Sequence, residues 1–450
     1  MHLILIILFL FLSLCLMIKA CSGPDSSKDD ANITPPYSDQ TDTLDPSLQG
    51  PTVVASASIG ITGSIFPHQR AILSAKTEDG NYDFSNYLNF ISNSYQSFDF
   101  MVACLEATLG EPGDSTPSNC PDSLIDALKD AGVDMLLTSS DQVYAAGHFG
   151  FTRTQEVLTS KGMLYTGTRP NTDVPNYTLL DINGIKIGML NYTYETGDTA
   201  LGNKTINDIA VDKEDTDLIN SYNYRKMGKF YDEVKAAKEA MDAQGADCII
   251  VFIHWGNEYD RTPSNTQKTI AENLCNLGVD FIVGSHPHIV QPMEVLTSEA
   301  GTKTYCLYSA GSAISGERRG DVRQAANGHT EDGIIFDLKL HLMSDGSVTI
   351  ADINATPLWT SVETVGGKDV FTILPVDVTY NFFPALSNFV DTVNGVIDPD
   401  REPTDVQTLT LSDSTKISES YTRTMDTILT GLNECRQALG LTPVSNIPGN

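Results

Sequence analysis

The sequence predicts an α/β fold with a mixed sheet, or a sandwich of sheets, at its core. Two observations lead there. From Pro51 onward, short apolar runs alternate with stretches whose apolar residues recur at helical spacing; past residue 303, three strand-like runs follow one another with no helix between them. A third observation bounds the answer: 41% of the 450 residues are hydrophobic, enough for a sizeable core.

In chain order, "TVVASAS" reads as the first strand and Phe84 to Phe98 as a helix. "DFMVACLEA" is a strand, "DSLIDALKDAG" a helix ending at Gly132, and "DMLLTS" a strand. A helix over Phe149 to Gly162 precedes the extended "MLYTGT", and "IKIGMLNYT" is the next strand. The long helix Met227 to Gly245 leads into "DCIIVFIHW", and the helix Asn265 to Gly278 leads into "DFIVGS". "TYCLYSAGS", "GIIFDLKLHLM" and "SVTIADINA" are the consecutive strands. Beyond Pro384, "DPDREPTD" reads as a linker and Ser418 to Leu439 as a terminal helix packed on the body. No internal repeat is visible.

The first 50 residues are different in kind. Leu3 to Ile18 is apolar apart from Ser13, short for a membrane span but right for the apolar part of a signal peptide. Ile18-Lys19-Ala20-Cys21 resembles a bacterial lipoprotein cleavage box, in which Cys21 is lipidated and becomes the new N-terminus. Lys19 is unusual at its position and no Lys or Arg precedes the apolar run, so an uncleaved anchor is the alternative. Either way the body is expected outside the cytoplasm. Residues 22–50 are rich in Ser, Asp, Pro and Thr; they bury too little to offset their ordering entropy and read as a flexible stalk. The expected division is thus a signal over 1–21, a stalk over 22–50, a body over 51–385 and a C-terminal extension over 386–450.

Charge excludes one class of partner. With 58 acidic and 28 basic side chains the formal charge is −30, which repels nucleic acid, and no nucleic-acid partner is expected. A polyanionic substrate is repelled too, unless cations bridge the two. Eight cysteines are present, none in a CxxC pair, so a zinc finger is excluded; Cys248 and Cys306 lie in apolar runs and read as buried free thiols. Disulfide connectivity is left open.

Ligands of open α/β sheets gather at the carboxyl ends of strands. Three strand ends here carry unusual residues: "CIIVFIHWGNEYD" ends on His254 with Glu258 beyond it, "DFIVGSHPH" on His286 and His288, and "DFMVACLEATLG" on Cys104 and Glu106. Three imidazoles and a carboxylate on such loops make a mixed nitrogen and oxygen donor set for a metal. A surface or hydrogen-bonded side chain is the alternative for any one histidine taken singly. Glu258, four residues past His254, is placed to orient an imidazole, a salt bridge to Arg261 being the alternative. Cys104 reads as a packed thiol or a reactive thiolate. Ser58, Ser139 and Ser140 lack the G-x-S-x-G setting of a nucleophilic serine.

The segment "IIVFIHWGNEYDRTPSNTQKTIAENLCNLGVDFIVGSHPHIVQPMEVL" closely resembles capsule-synthesis proteins of the CapA type, linked to poly-γ-glutamate capsule. "DFMVACLEATL", "LTSSDQVYAAGHFGFTRTQEVLTSKGMLYTGT" and "YCLYSAGSAISG" extend the resemblance over roughly Val53 to Asp352. It implies a calcineurin-like metallophosphatase fold, a four-layer αββα sandwich with mixed sheets. It also implies a divalent metal (Mn, Zn or Fe) held by Glu106, His254, His286 and His288, with Asp141 and Glu258 as supporting partners. His254 and His286 are then the catalytic candidates.

Departures from the family pattern are as informative. Its usual Gly-Asp at the end of the first strand falls on Ala57-Ser58, its Asn before Leu-Glu on Cys104, its Asn-His on Asp141-Gln142 with the following Asp on Ala145, and a later Asn on Ser312. Ser58 supplies no carboxylate, and a neutral Gln142 amide is a poorer ligand than imidazole. A dinuclear hydrolase needs a bridging carboxylate, so a single ion is the expectation. The reading is therefore a cell-surface accessory protein of capsule biosynthesis that binds or positions an anionic polymer or another envelope component, beside membrane synthase subunits. An active metal-dependent hydrolase and a binding or adhesion lipoprotein reusing the scaffold are the alternatives.

Overall fold

Every residue of the strand Cys248–His254 is buried, and its two faces serve different cores. Cys248, Ile250 and Phe252 point into one apolar cluster, whereas Ile249, Val251 and Ile253 join another. Side chains alternate across a strand, so an unbroken apolar run is what a sheet covered on both faces requires. Phe100–Leu105 repeats the pattern: Phe100, Val102 and Cys104 enter the same first cluster, and Met101, Ala103 and Leu105 a third one.

Those clusters define the layers. The computed structural model describes residues 50–113, 119–200, 202–318, 320, 322, 329–376 and 411–445. One sheet runs in the order Lys368–Pro375, Val348–Val365, Asp332–Met343, Val53–Phe66, Phe100–Leu105, Met135–Leu137, Leu164–Thr166. The last four strands are mutually parallel and the first three antiparallel to their neighbours. The second sheet runs Ser221–Tyr222, Ile185–Tyr194, Cys248–His254, Phe281–Ser285, Lys303–Ala310, Val290–Thr297, only the last strand of this path being antiparallel; Thr178–Ile182 pairs with Ile185–Tyr194. Residues of both sheets share the central cluster. Outside the first sheet lie Ile72, Tyr87, Leu124, Ile125, Leu128 and Leu158 from short helices and the helices Ser123–Asp130 and Gly147–Ser160. Outside the second lie Met227–Asp242 and Asn265–Asn276. This is the four-layer αββα sandwich with mixed sheets.

The described residues from Pro51 onward make one compact unit. The expected signal and stalk, and the linker "DPDREPTD", lie outside the described residues. Among the described residues no helix is long and apolar enough to cross a membrane. The six cysteines beyond residue 100 are all buried and unpaired.

Two differences from the sequence reading have physical causes. Phe84 to Phe98 is not one helix but two single turns, Ser85–Leu88 and Ser92–Tyr95. Its Ser and Asn side chains bond local backbone instead, Ser92 to the carbonyl of Asn89 and Ser97 to that of Ser94, which competes with helix propagation. The terminal helix, Leu411–Ala438, is also more than an appendage. Ile417, Tyr421, Met425, Ile428, Leu432 and Cys435 recur at helical spacing and belong to the central core.

Gly431 lets that helix close on the sheet. A Cβ there would lie 1.9 Å from the carbonyl oxygen of Met293. In an open helix Gly→Ala gains about 1 kcal/mol, but overpacking costs about 1–3 kcal/mol. Gly431→Ala is expected to lower Tm in a thermal melt, opposite in sign to helix propensity.

Candidate metal centre

The parallel strands of both sheets deliver their carboxyl ends to one place. Glu106 follows Phe100–Leu105, Asp141 follows Met135–Leu137, His254 ends Cys248–His254, and His286 and His288 follow Phe281–Ser285. All five are nearly inaccessible, with exposures of 0, 5, 0, 5 and 2% in that order.

His254 stands in the middle. Its Nδ1 is 2.9 Å from Ser285 Oγ and 3.7 Å from Glu106 Oε1, and its Nε2 is 3.3 Å from Asp141 Oδ1. His286 Nδ1 is 3.9 Å from Asp141 Oδ2, and its ring centroid is 4.7 Å from that of His254. His288 Nε2 is 3.0 Å from Glu106 Oε2, yet without hydrogen-bond geometry. Glu106 Oε2, His286 Nδ1 and His288 Nδ1 are all buried and without a hydrogen-bond partner. A buried polar atom left unpaired costs about 1–3 kcal/mol. Glu106 Oε2 has His288 Nε2 beside it, but His286 Nδ1 and His288 Nδ1 are left as atoms a bound cation would relieve, and the donors are of the type divalent transition metals take.

Each supporting residue can be located. Glu258 is exposed and offers its carboxylate within 4.8 Å of ligand atoms of His286 and His288. Asp141 lies against two imidazoles, with Gln142 Nε2 donating to its Oδ1 at 3.2 Å. Ser312 Oγ donates to the His288 carbonyl at 3.0 Å, fixing that backbone instead of ligating. The expected first-strand position needs correcting. Ser58 is bound to Asp99 far from these residues, and the strand runs on to Phe66. Ser64 is the residue that arrives, its hydroxyl donating to Glu106 Oε1. It too brings no carboxylate. Gly63 beside it has no room for a Cβ, which would meet the Gly311 carbonyl oxygen at 2.1 Å.

Electrostatics are set by mutual pairing. Burial works against the Glu106 charge, but His254 and His288 outweigh it and hold the carboxyl down at about 2. Asp141, likewise opposed by burial, is held below the usual carboxylate range by the hydrogen bond and charge of His254 and by His286. Burial and then the charge of His254 push His286 down to about 3. His288 goes the other way: burial is overcome by Glu106 and Glu317, which carry it well above an ordinary imidazole.

Several participants were invisible in the sequence. Glu317 accepts from Tyr259 Oη at 3.0 Å, pairs with His68 Nε2 at 3.2 Å and lies 3.8 Å from His288 Nδ1. Tyr194 stacks on His254, interplanar angle 7°, with its hydroxyl 3.4 Å from His286 Nε2. Backbone strain marks the same place. Among the described residues, the non-glycine residues with positive φ are Asn183, Asn207 and Asp208, types that tolerate it, and His68, Tyr259, His286 and His288. The last four all border this cluster, and such strain persists where surrounding structure holds a functional geometry.

A family model described as bacterial capsule synthesis protein PGA_cap matches residues 58–317. The chain is 29% identical over 172 residues to the capsule biosynthesis protein CapA of Bacillus anthracis, 38% of each chain. It is 30% identical over 140 residues to the PGA biosynthesis protein CapA of Bacillus subtilis (strain 168), 30% of this chain and 33% of that one. The chain thus spans well under half the length of either relative. Among solved structures, Haemophilus influenzae NAD nucleotidase (NadN) is 11% identical with a TM-score of 0.42, over 83% of this chain and 63% of that one. A 5'-nucleotidase precursor from Thermus thermophilus is 11% identical with a TM-score of 0.39, over 68% and 54%. Neither likeness is close enough to bear on function.

Proposed function

Because the chain belongs to the bacterial capsule synthesis protein PGA_cap family, we propose that it binds or positions an anionic capsular polymer, such as poly-γ-glutamate, through a divalent cation. Glu106, His254, His286 and His288 would hold that cation, with Asp141 and Glu258 as supporting partners. The observation that carries this reading is the convergence of a buried carboxylate, Glu106, with three buried imidazoles, of which His286 Nδ1 and His288 Nδ1 lack hydrogen-bond partners. Charge supports it: a chain of net −30 repels a polyanion unless a cation stands between them.

A bound divalent ion supplies Lewis acidity and a positive centre for a carboxylate or phosphate oxygen. The chain's own residues do the rest. Tyr194 stacks on His254 and reaches His286, fixing the planes of both rings. Glu317, itself held by Tyr259 and His68, orients His288. Ser64 takes up one oxygen of Glu106 where a second carboxylate would favour a second ion, so the reading is of one cation. The same reading has the chain anchored outside the cytoplasm through Cys21, where it would meet membrane synthase subunits.

The test is metal analysis of the purified protein beside the variant carrying His286→Ala and His288→Ala, followed by cosedimentation with poly-γ-glutamate. The expected result is stoichiometric metal and metal-dependent polymer binding in the parent, with both lost in the variant. Polymer binding that survives chelator, or absence of metal from the parent, overturns the reading. Phosphodiesterase activity above the variant's level would replace it with a hydrolase.

A further inference from the structure

We propose that Cys104 is a thiolate ligand of the cation, so that the centre takes zinc or a comparably soft ion in preference to manganese. This rests on the cluster's being a cation site, as argued above.

Of the six cysteines beyond residue 100, Cys104 is the one whose sulfur groups with side chains able to ligate, among the described residues. Cys104, Glu106 and His254 present Sγ, a carboxylate oxygen and a ring nitrogen within 4.8 Å of one another, all three buried. The thiol is poorly used as it stands, with Ser285 Oγ at 3.6 Å and Glu106 Oε1 at 3.9 Å. Glu106 is wholly buried, and its Oε2, 3.0 Å from His288 Nε2, makes no hydrogen bond of good geometry.

The spacing suits a tetrahedral ion. Bond lengths of about 2.3 Å to sulfur and about 2.0 Å to nitrogen and oxygen give donor–donor edges of roughly 3.3–3.5 Å. The observed edges are 3.9 Å from Sγ to Glu106 Oε1 and 3.7 Å from His254 Nδ1 to the same oxygen. Side-chain shifts of a few tenths of an ångström close these two edges, and the third, from Sγ to a His254 ring nitrogen, lies within 4.8 Å. With Nδ1 on the ion, His254 Nε2 keeps its place 3.3 Å from Asp141 Oδ1, which fixes the tautomer and the ring as carboxylates do behind ligating imidazoles. The Ser285 hydroxyl, now 2.9 Å from Nδ1, turns to donate to the sulfur. As the metal–sulfur bond forms, the thiol proton leaves to solvent. Carboxylate and imidazole alone suit manganese, iron and zinc alike, whereas a thiolate tips the choice to the softer ion.

Cobalt(II) loaded into the purified protein reports directly on sulfur. A near-ultraviolet sulfur-to-cobalt charge-transfer band is expected in the parent, absent from Cys104→Ser and unchanged in Cys120→Ser, whose cysteine lies in the outer apolar cluster. Zinc affinity is expected to fall at least about tenfold in Cys104→Ser, the low end of what loss of even an outlying partner costs, with manganese affinity little moved. Stoichiometric cobalt without the band, or a band that survives Cys104→Ser, overturns the thiolate and leaves the cation site standing. Failure of the parent to bind either cobalt or zinc overturns both. Should Cys104→Ser not fold, absence of the band from the cobalt-loaded parent still overturns the thiolate.

Discussion

Arg423→Ala is expected to destabilise the protein by about 3 kcal/mol, the low end of the cost of stripping one partner from a buried ion pair, because the arginine is a quarter exposed, read as a lower denaturant midpoint. Asp332 begins a long strand of the first sheet and is only 4% exposed. The terminal helix closes over it. Arg423 Nη2 and Nε reach its two oxygens at 2.9 and 3.0 Å, and Ser420 Oγ donates to Oδ1 at 2.7 Å. Burial raises the Asp332 carboxyl above its ordinary 3.8 despite Arg423, which lowers it. Without Arg423 that rise is larger. The folded chain then binds a proton the unfolded chain has released, so stability falls as pH rises from 3.8 through the raised value. The defect of Arg423→Ala is therefore expected in full at neutral pH and to shrink on acidification toward 3.8. A loss independent of pH would mean that the arginine acts by packing alone.

That helix shows what a sequence does and does not disclose. Its stripe from Ile417 to Cys435 gives away a helix with one apolar face. Nothing in the stripe says that the face enters the space between two sheets, because the partner residues lie far away in the chain. The inner strands were legible for the opposite reason: burial on both faces leaves unbroken runs such as Cys248–His254 that need no partner to be recognised. Edge strands gave less away. Val290–Thr297 carries Pro292 and Lys368–Pro375 opens on charged residues, and each lies at the edge of its sheet, where proline and charge are tolerated.

The centre divides along the same line. Glu106, His254, His286 and His288 follow apolar runs directly, so their place at strand ends could be read off. The first strand misled because "VVASASIGITGSIF" has no charged residue to mark its end, and small residues at Ala57-Ser58 imitated one that comes at Gly63-Ser64. Tyr194, Glu317 and His68 arrive by the crossing of elements. Only the register of two sheets, set by packing over the whole domain, brings them to the imidazoles.

Glu106→Gln should abolish most of the stabilisation that a cation confers, read as the zinc-induced shift in each protein's own Tm. The amide keeps the shape and an acceptor oxygen for the Ser64 hydroxyl, so the hydrogen bond inside the sheet survives. What disappears is the anionic donor beside His288 and His254. At a metal concentration about 100 times Kd, binding stabilises by about 2.7 kcal/mol. A roughly 100-fold loss of affinity brings the variant to about Kd at the same concentration, where the gain is only about 0.4 kcal/mol. At about 2 °C per kcal/mol for a large domain, zinc is expected to raise the parent's Tm by about 5 °C and that of Glu106→Gln by about 1 °C. Equal shifts in the two proteins would mean that Glu106 does not touch the ion.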